Sequence, residues 1–267
     1  SLHDALPIFL YFEALQGASS RVMLAINDKY RPDGAVFLPP QGLLAVAMAQ
    51  PVNIAGTALY NYTEGYGSYL IPAVMVIIIF QTLLMVIGMV TGEEHMTKGI
   101  LAYTPFGKSW AVAIRIVSGK TFVYCSLYAV FSFFLLGLLP HFFSIPNIGN
   151  GLYIVLMMIP YLLATSFLGL AASRYFTDSE APLLMIAFFS VGLIFLSGVS
   201  YPMELMPWYW KAAHYILPAA PGTLAFVKLN SMGASMADIR PEYITLWIQV
   251  FIYFIISIWV YKKKLEI

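Results

Sequence analysis

Five stretches of this chain contain no Asp, Glu, His, Lys or Arg: residues 70–91, 121–139, 151–173, 183–200 and 243–261. A helix rises 1.5 Å per residue, so about 20 apolar residues cross a hydrocarbon layer roughly 30 Å thick. Several of these runs are rich in β-branched residues, which favour strands in water. In lipid, a segment must satisfy its own backbone N–H and C=O groups, and that requirement outweighs propensity. The pattern therefore predicts an all-α polytopic membrane protein with five transmembrane helices at those positions.

The polar residues between the runs orient them, because short basic loops stay on the cytoplasmic side. Lys98, Lys108, Arg115 and Lys120 follow the first run, Arg174 follows the third, and Lys262, Lys263 and Lys264 follow the last. Arg21, Lys29, Arg31, Lys211, Lys228 and Arg240 are scattered over much longer segments. The dense group predicts a cytoplasmic C-terminus, with the N-terminal segment and residues 140–150 and 201–242 outside. An outer N-terminal segment has to be delivered by an upstream span, so six helices are expected in the intact protein. Residues 1–8 resemble the in-frame translation of a sequencing-adapter oligonucleotide and are set aside. Residues 9–69 read as part of an extracytoplasmic α/β region, with turn chemistry at 31–34 and 38–41. Its apolar stretch 43–49 is too short to span.

Composition agrees with lipid as the solvent. The 267 residues are 60% hydrophobic and only 10% charged, with mean hydropathy +0.80, whereas soluble domains carry about 25% charged residues. A net charge of +1 supplies no basic field for nucleic acid. The single cysteine, Cys125, has no partner for an internal disulfide. His3, His95, His141 and His214 have no metal-ligand spacing. Gly107-Lys108-Ser109 and Gly119-Lys120-Thr121 imitate the end of a nucleotide-binding loop. The glycine that such a loop needs five residues earlier is replaced by Ala102 and Ile114. The chain therefore does not hydrolyse ATP by that route, and the two lysines read as interfacial anchors. Uncharged spans also argue against a proton relay or an intramembrane metalloprotease, leaving Glu204 with His214 as the one pair that keeps an enzyme reading open. Gly88, Gly137, Gly169 and Gly192 suit close helix packing, and Pro160 predicts a kink in the third span.

Three constellations resemble the ABC-2 family of export permeases, and with the spans the resemblance covers nearly everything after about Leu59. Leu59-Tyr60-Asn61, then Tyr69-Leu70-Ile71-Pro72, is similar to the family's approach to its second transmembrane helix. Glu93-Glu94-His95-Met96-Thr97, then Tyr103-Thr104-Pro105, resembles the family's Glu-x-Gly-Thr and Thr-Pro, with Met96 in place of Gly. The most specific series runs from Gly198 through Pro202, Glu204, Met206, Pro207 and Trp208 to Pro218, Thr223, Lys228, Gly233-Ala234 and Asp238. It resembles the family's extracytoplasmic re-entrant hairpin before the last helix.

The resemblance implies the permease subunit of an ABC exporter, not itself an enzyme. Glu93, Glu94, Thr97, Thr104 and Pro105 would form the coupling segment that meets a separate ABC ATPase subunit. ATP and magnesium would sit on that partner, with no cofactor on this chain. A second permease copy or a paralogue would complete a dimer in the bacterial inner membrane, and a periplasmic adaptor could join it. Tyr124, Tyr128, Phe133 and Tyr161 would suit a drug-like or lipid-like cargo. The alternative is a non-transporting scaffold of an envelope complex.

Overall fold

The computed structural model describes residues 66–97, 99, 107–143, 147–176, 178–201 and 203–266, with backbone alone at 66–69, 184–191 and 204. The predicted extracytoplasmic region at 9–69 thus lies almost wholly outside the described residues. Among those described, every regular element is helical.

Helix α1 (Tyr66–Met96) overruns its charge-free run at both ends and carries the acidic pair Glu93 and Glu94 on its last turn. Helix α2 (Trp110–Ser132) starts well before residue 121, because the Ser109 hydroxyl accepts a hydrogen bond from the Val112 N–H at 3.4 Å and caps it. It continues through a π segment (Phe133–Leu138) into a last short turn (Leu139–Phe142). Pro140 in that turn lacks an N–H and crowds the carbonyl four residues back, and the wider π turn accommodates it. Helix α3 (Gly151–Ala172) is capped by Asn150, whose side chain accepts from the Leu152 N–H at 2.9 Å.

Helix α4 (Ala181–Leu196) departs from expectation. Its 16 residues rise only about 24 Å, short of the bilayer core. The run at 183–200 ends early because the Ser197 hydroxyl donates to the Ile194 carbonyl at 2.6 Å and Gly198 adopts a left-handed φ of 81°. Among the described residues four helices are long and apolar enough to cross a membrane: Leu70–Met96, Trp110–Phe142, Gly151–Ala172 and Arg240–Glu266. A 3-10 turn (Met203–Leu205), α5 (Trp208–Ile216), α6 (Ala219–Met232) and α7 (Arg240–Glu266) complete the order.

Helix α3 forms the centre. It packs most extensively on α7 and also meets α1, α2 and α6, with Met157, Tyr161, Ala164 and Leu170 fully buried. The Tyr161 hydroxyl donates to the Val76 carbonyl of α1 at 2.8 Å, so the largest central side chain leaves no orphaned polar atom. Glycines set two of the crossings. A Cβ on Gly169 would lie 3.0 Å from Ile87, and one on Gly88 would lie 2.6 Å from Pro182. Among the described residues a Cβ on Gly192 would meet nothing and one on Gly137 would meet only Phe133 of its own segment. The outer faces of α2 and α7 stay apolar and open, with Phe122 at 74% and Ile255 at 66% exposure, as a lipid-facing surface requires.

Candidate functional site

The two ends of the bundle are built from different materials. At one end the close of α1, the start of α2, and the closes of α3 and α7 converge. Lys120 of α2 forms an ion pair with Glu94 of α1, and its ammonium lies 3.4 Å from the Tyr261 hydroxyl of α7. Lys264 of α7 donates to both the carbonyl and the hydroxyl of Ser173, each at 3.1 Å. Lys108 reaches the Glu266 carbonyl at 3.4 Å. Lys262 pairs with Glu266 and lies over the Trp110 ring at 5.8 Å. Lys263 and Arg174 share the Trp259 ring at 4.2 and 5.9 Å. The dense basic group therefore sits at one end, as its charges led us to expect; of its remaining members, Arg115 stands beside Glu94 and Lys120 on the first turns of α2 and Lys98 lies outside the described residues.

This arrangement sorts the proposed coupling residues. Glu94 is half-buried and held inside the chain by Lys120. Glu93 and Thr97 are exposed, and the Thr97 hydroxyl donates back to the Glu93 carbonyl at 2.8 Å. Thr104 and Pro105 lie outside the described residues. Sequence reasoning treated Lys120 as an interfacial anchor and passed over Tyr261, Ser173 and Lys264. The signal was the lone acidic pair beside a basic cluster, which requires a counter-charge nearby. Residues 119–121 are helical and Ser109 is a helix cap, so neither glycine-lysine sequence is a loop that could wrap phosphate.

At the opposite end stands the hairpin between α4 and α7. Gly198 makes the turn out of α4, Met206 is buried, and exposed Pro207 is the residue from which α5 starts. Pro202 and the side chain of Glu204 lie outside what is described. Helix α5 presents Trp208, Tyr209, Trp210, Tyr215 and Ile216 outward, between 45% and 80% exposed, the amphipathic character of a helix lying at a membrane interface. On its other face His214 is 2% exposed, with Nδ1 2.9 Å from the Leu196 carbonyl. That contact makes His214 a closing group for the end of α4, while the side chain of Glu204, its proposed partner, lies outside the described residues.

Buried Pro218 then turns the chain into α6, whose residues 219–227, 229 and 230 are all buried. Helix α6 wedges between α1, α3 and α7. The wedge fits because position 222 is glycine: a Cβ there would lie 2.2 Å from the Tyr161 ring. Gly149 meets the wedge as closely, with a Cβ only 2.3 Å from the Leu229 carbonyl. Gly233 ends α6 in a left-handed turn with φ 64°, and the Ala234 N–H donates to the Lys228 carbonyl at 3.1 Å. Asp238 accepts from the hydroxyl and N–H of Ser235 at 2.7 and 2.8 Å. Those bonds hold its carboxyl below the usual range; their small contribution is present above the unfolded pKa and is lost as pH falls through the folded one.

Three ties fasten the hairpin to α7. Lys228 pairs with Glu242 at 2.7 Å, Gln249 donates to the Tyr215 carbonyl at 2.8 Å, and the Tyr253 hydroxyl donates to the Ile216 carbonyl. The last two satisfy carbonyls that the end of α5 leaves without helical partners. Gly198, Pro207, Pro218, Lys228 and Gly233 are therefore turns, caps and ties of the helical segment that joins α4 to α7.

A family model described as ABC-2 family transporter protein matches residues 4–259, a span that takes in all of the hairpin and every helix but the last turns of α7. No curated protein and no solved structure gives a significant match. With most of its length under that match, the chain belongs to the ABC-2 transporter family, as a multi-pass permease component of an ABC transporter.

Proposed function

We propose that the chain is the permease half of an ABC exporter driven by ATP hydrolysis on a separate ATPase subunit. The observation that carries this reading is the knot of polar contacts at the basic end. Glu94, Lys120, Tyr261, Lys264 and Ser173 tie four helix ends together. A displacement applied to the segment after α1 is then passed to α2, α3 and α7 together rather than absorbed locally. Glu93 and Thr97 are open for docking, and Thr104 and Pro105 complete the docking segment.

In this reading the basic end faces the cytoplasm and the hairpin faces outward. Closure of the ATPase subunits around ATP and magnesium pushes on the docking segment. The permease then shifts between two packings whose balance is biased by ligand energy spent on the partner. A second copy or paralogue provides the opposing wall of the route, a periplasmic adaptor can extend it, and the cargo is amphipathic. This chain contributes positioning and a path, and no bond-making step.

Two experiments test the reading. A tagged chain should co-purify a cognate ABC ATPase subunit and stimulate its hydrolysis in proteoliposomes. Glu93→Lys with Thr97→Ala should lower recovery of the ATPase severalfold; undiminished recovery would remove the coupling role, leaving a scaffold. For the orientation, a cysteine replacing Lys262 in a Cys125→Ser background should resist a membrane-impermeant thiol reagent in intact cells. One replacing Trp208 should react, and the reverse pattern overturns the direction of transport.

A further inference from the structure

Between the last turns of α1 and the first half of α2 lies a groove of about 620 Å³, within the range of ligand sites. Its walls change character along α2. Near the basic end it is lined by Glu94, Arg115 and Lys120, and further along by Val123 and Tyr124. Glu94 and Lys120 neutralise one another. Arg115 is exposed and forms no ion pair with any described residue, so the groove carries one uncompensated positive charge. Between the two zones Gly119 leaves a notch, where a Cβ would meet nothing within 4 Å.

Beyond the notch the apolar wall continues out of the groove. Val123, Leu127 and Val130 follow at spacings of four and three residues on one stripe of α2, at 63%, 61% and 72% exposure. Arg115 precedes Val123 by eight residues, about 12 Å along the helix. A cationic head site, a notch and a lipid-facing apolar track in that order complement one kind of occupant. We propose that this groove binds an anionic membrane phospholipid, with its phosphate at Arg115, its glycerol region in the Gly119 notch and an acyl chain along Val123, Leu127 and Val130. A bound lipid there would seal the seam between α1 and α2 beside the polar knot.

The test uses the full chain purified in detergent and titrated with phosphatidylglycerol or phosphatidylcholine, with bound lipid and oligomeric state read together by native mass spectrometry. Wild type should retain phosphatidylglycerol in preference by about fivefold, the scale set by one basic residue meeting an anionic headgroup. Arg115→Gln should bring retention down to the phosphatidylcholine level. Gly119→Leu keeps every charge but fills the notch, and should lower phosphatidylglycerol retention as well. Arg174→Gln, an exposed cation at the same end and outside the groove, should leave the preference intact. Equal retention of the two lipids by wild type overturns the proposal, as does loss of preference in Arg174→Gln, which would mean diffuse surface charge. Unchanged retention in Gly119→Leu also overturns it. So does a shift from dimer to monomer in Arg115→Gln without a change in lipid, which would identify the occupant as a second copy.

Discussion

The knot at the basic end and the hairpin at the other end both hold α7 to its neighbours, but by different physics. In the knot the contacts are made by long charged side chains, Lys120 to Glu94 and Lys264 to Ser173, whose partners meet across helix ends. The hairpin adds to its three polar ties on α7 a fit of shape, with Gly222 of α6 seated against Tyr161 of α3 and α6 buried along almost its whole length. The knot can be retuned by charge or released by a partner that competes for Glu94. The hairpin yields only if a whole helix leaves its slot.

The largest effect should come from attacking shape. Gly222→Val places a branched side chain where even a Cβ meets the Tyr161 ring at 2.2 Å. Overpacking of this kind costs about 1–3 kcal/mol, and here the upper end is expected, read as a fall in the thermal midpoint in detergent. A midpoint equal to wild type would mean that α6 is not wedged against α3. Glu94→Gln should come next, at about 1.5–3 kcal/mol for losing a charged hydrogen-bond partner. Adding Lys120→Met should recover part of that loss, since it removes the uncompensated ammonium. A double variant less stable than Glu94→Gln alone would show that Lys120 is held mainly by other groups.

Tyr253→Phe removes one of three hairpin ties and should cost about 1 kcal/mol. Its signature is faster protease cleavage between Gly198 and Trp208 while cleavage near Lys108 stays unchanged; equal acceleration at both places would dissolve the distinction between the ends. The smallest effect on stability belongs to Glu93→Ala, an exposed change expected within about 0.5 kcal/mol. Loss of ATPase co-purification by this variant, with the thermal midpoint preserved, would separate docking from folding.

Much of the fold was readable because lipid makes a demand that single residues answer. A run either contains a charge or it does not, so residues 70–91, 121–139, 151–173 and 243–261 all became helices. The boundaries were less readable. Glu93 and Arg115 lie inside helices that the charge-free criterion would end or begin elsewhere, because long side chains can reach water or each other without interrupting the backbone. The run at 183–200 met the criterion, yet Ser197 and Gly198 closed its helix at Leu196. Counting apolar residues takes no account of how a backbone turns.

The candidate site divides in the same way. The order Gly198, Pro207, Trp208, Pro218, Gly233 marked a series of turns in the sequence, since proline and glycine impose local backbone geometry wherever they stand. The acidic pair beside a basic cluster pointed to a counter-charge, but nothing local revealed that Glu94 and not Glu93 is the one paired, that Lys120 is its partner, or that Tyr161 would stand over Gly222. Solvent preference, span chemistry and the grouping of basic residues are properties summed over short segments, and the linear chain already contained them. Which carboxylate is paired, which glycine is a socket and how the helix ends are tied together depend on contacts between residues as many as 158 positions apart, as Lys108 and Glu266 are. Those contacts exist only after the helices have packed.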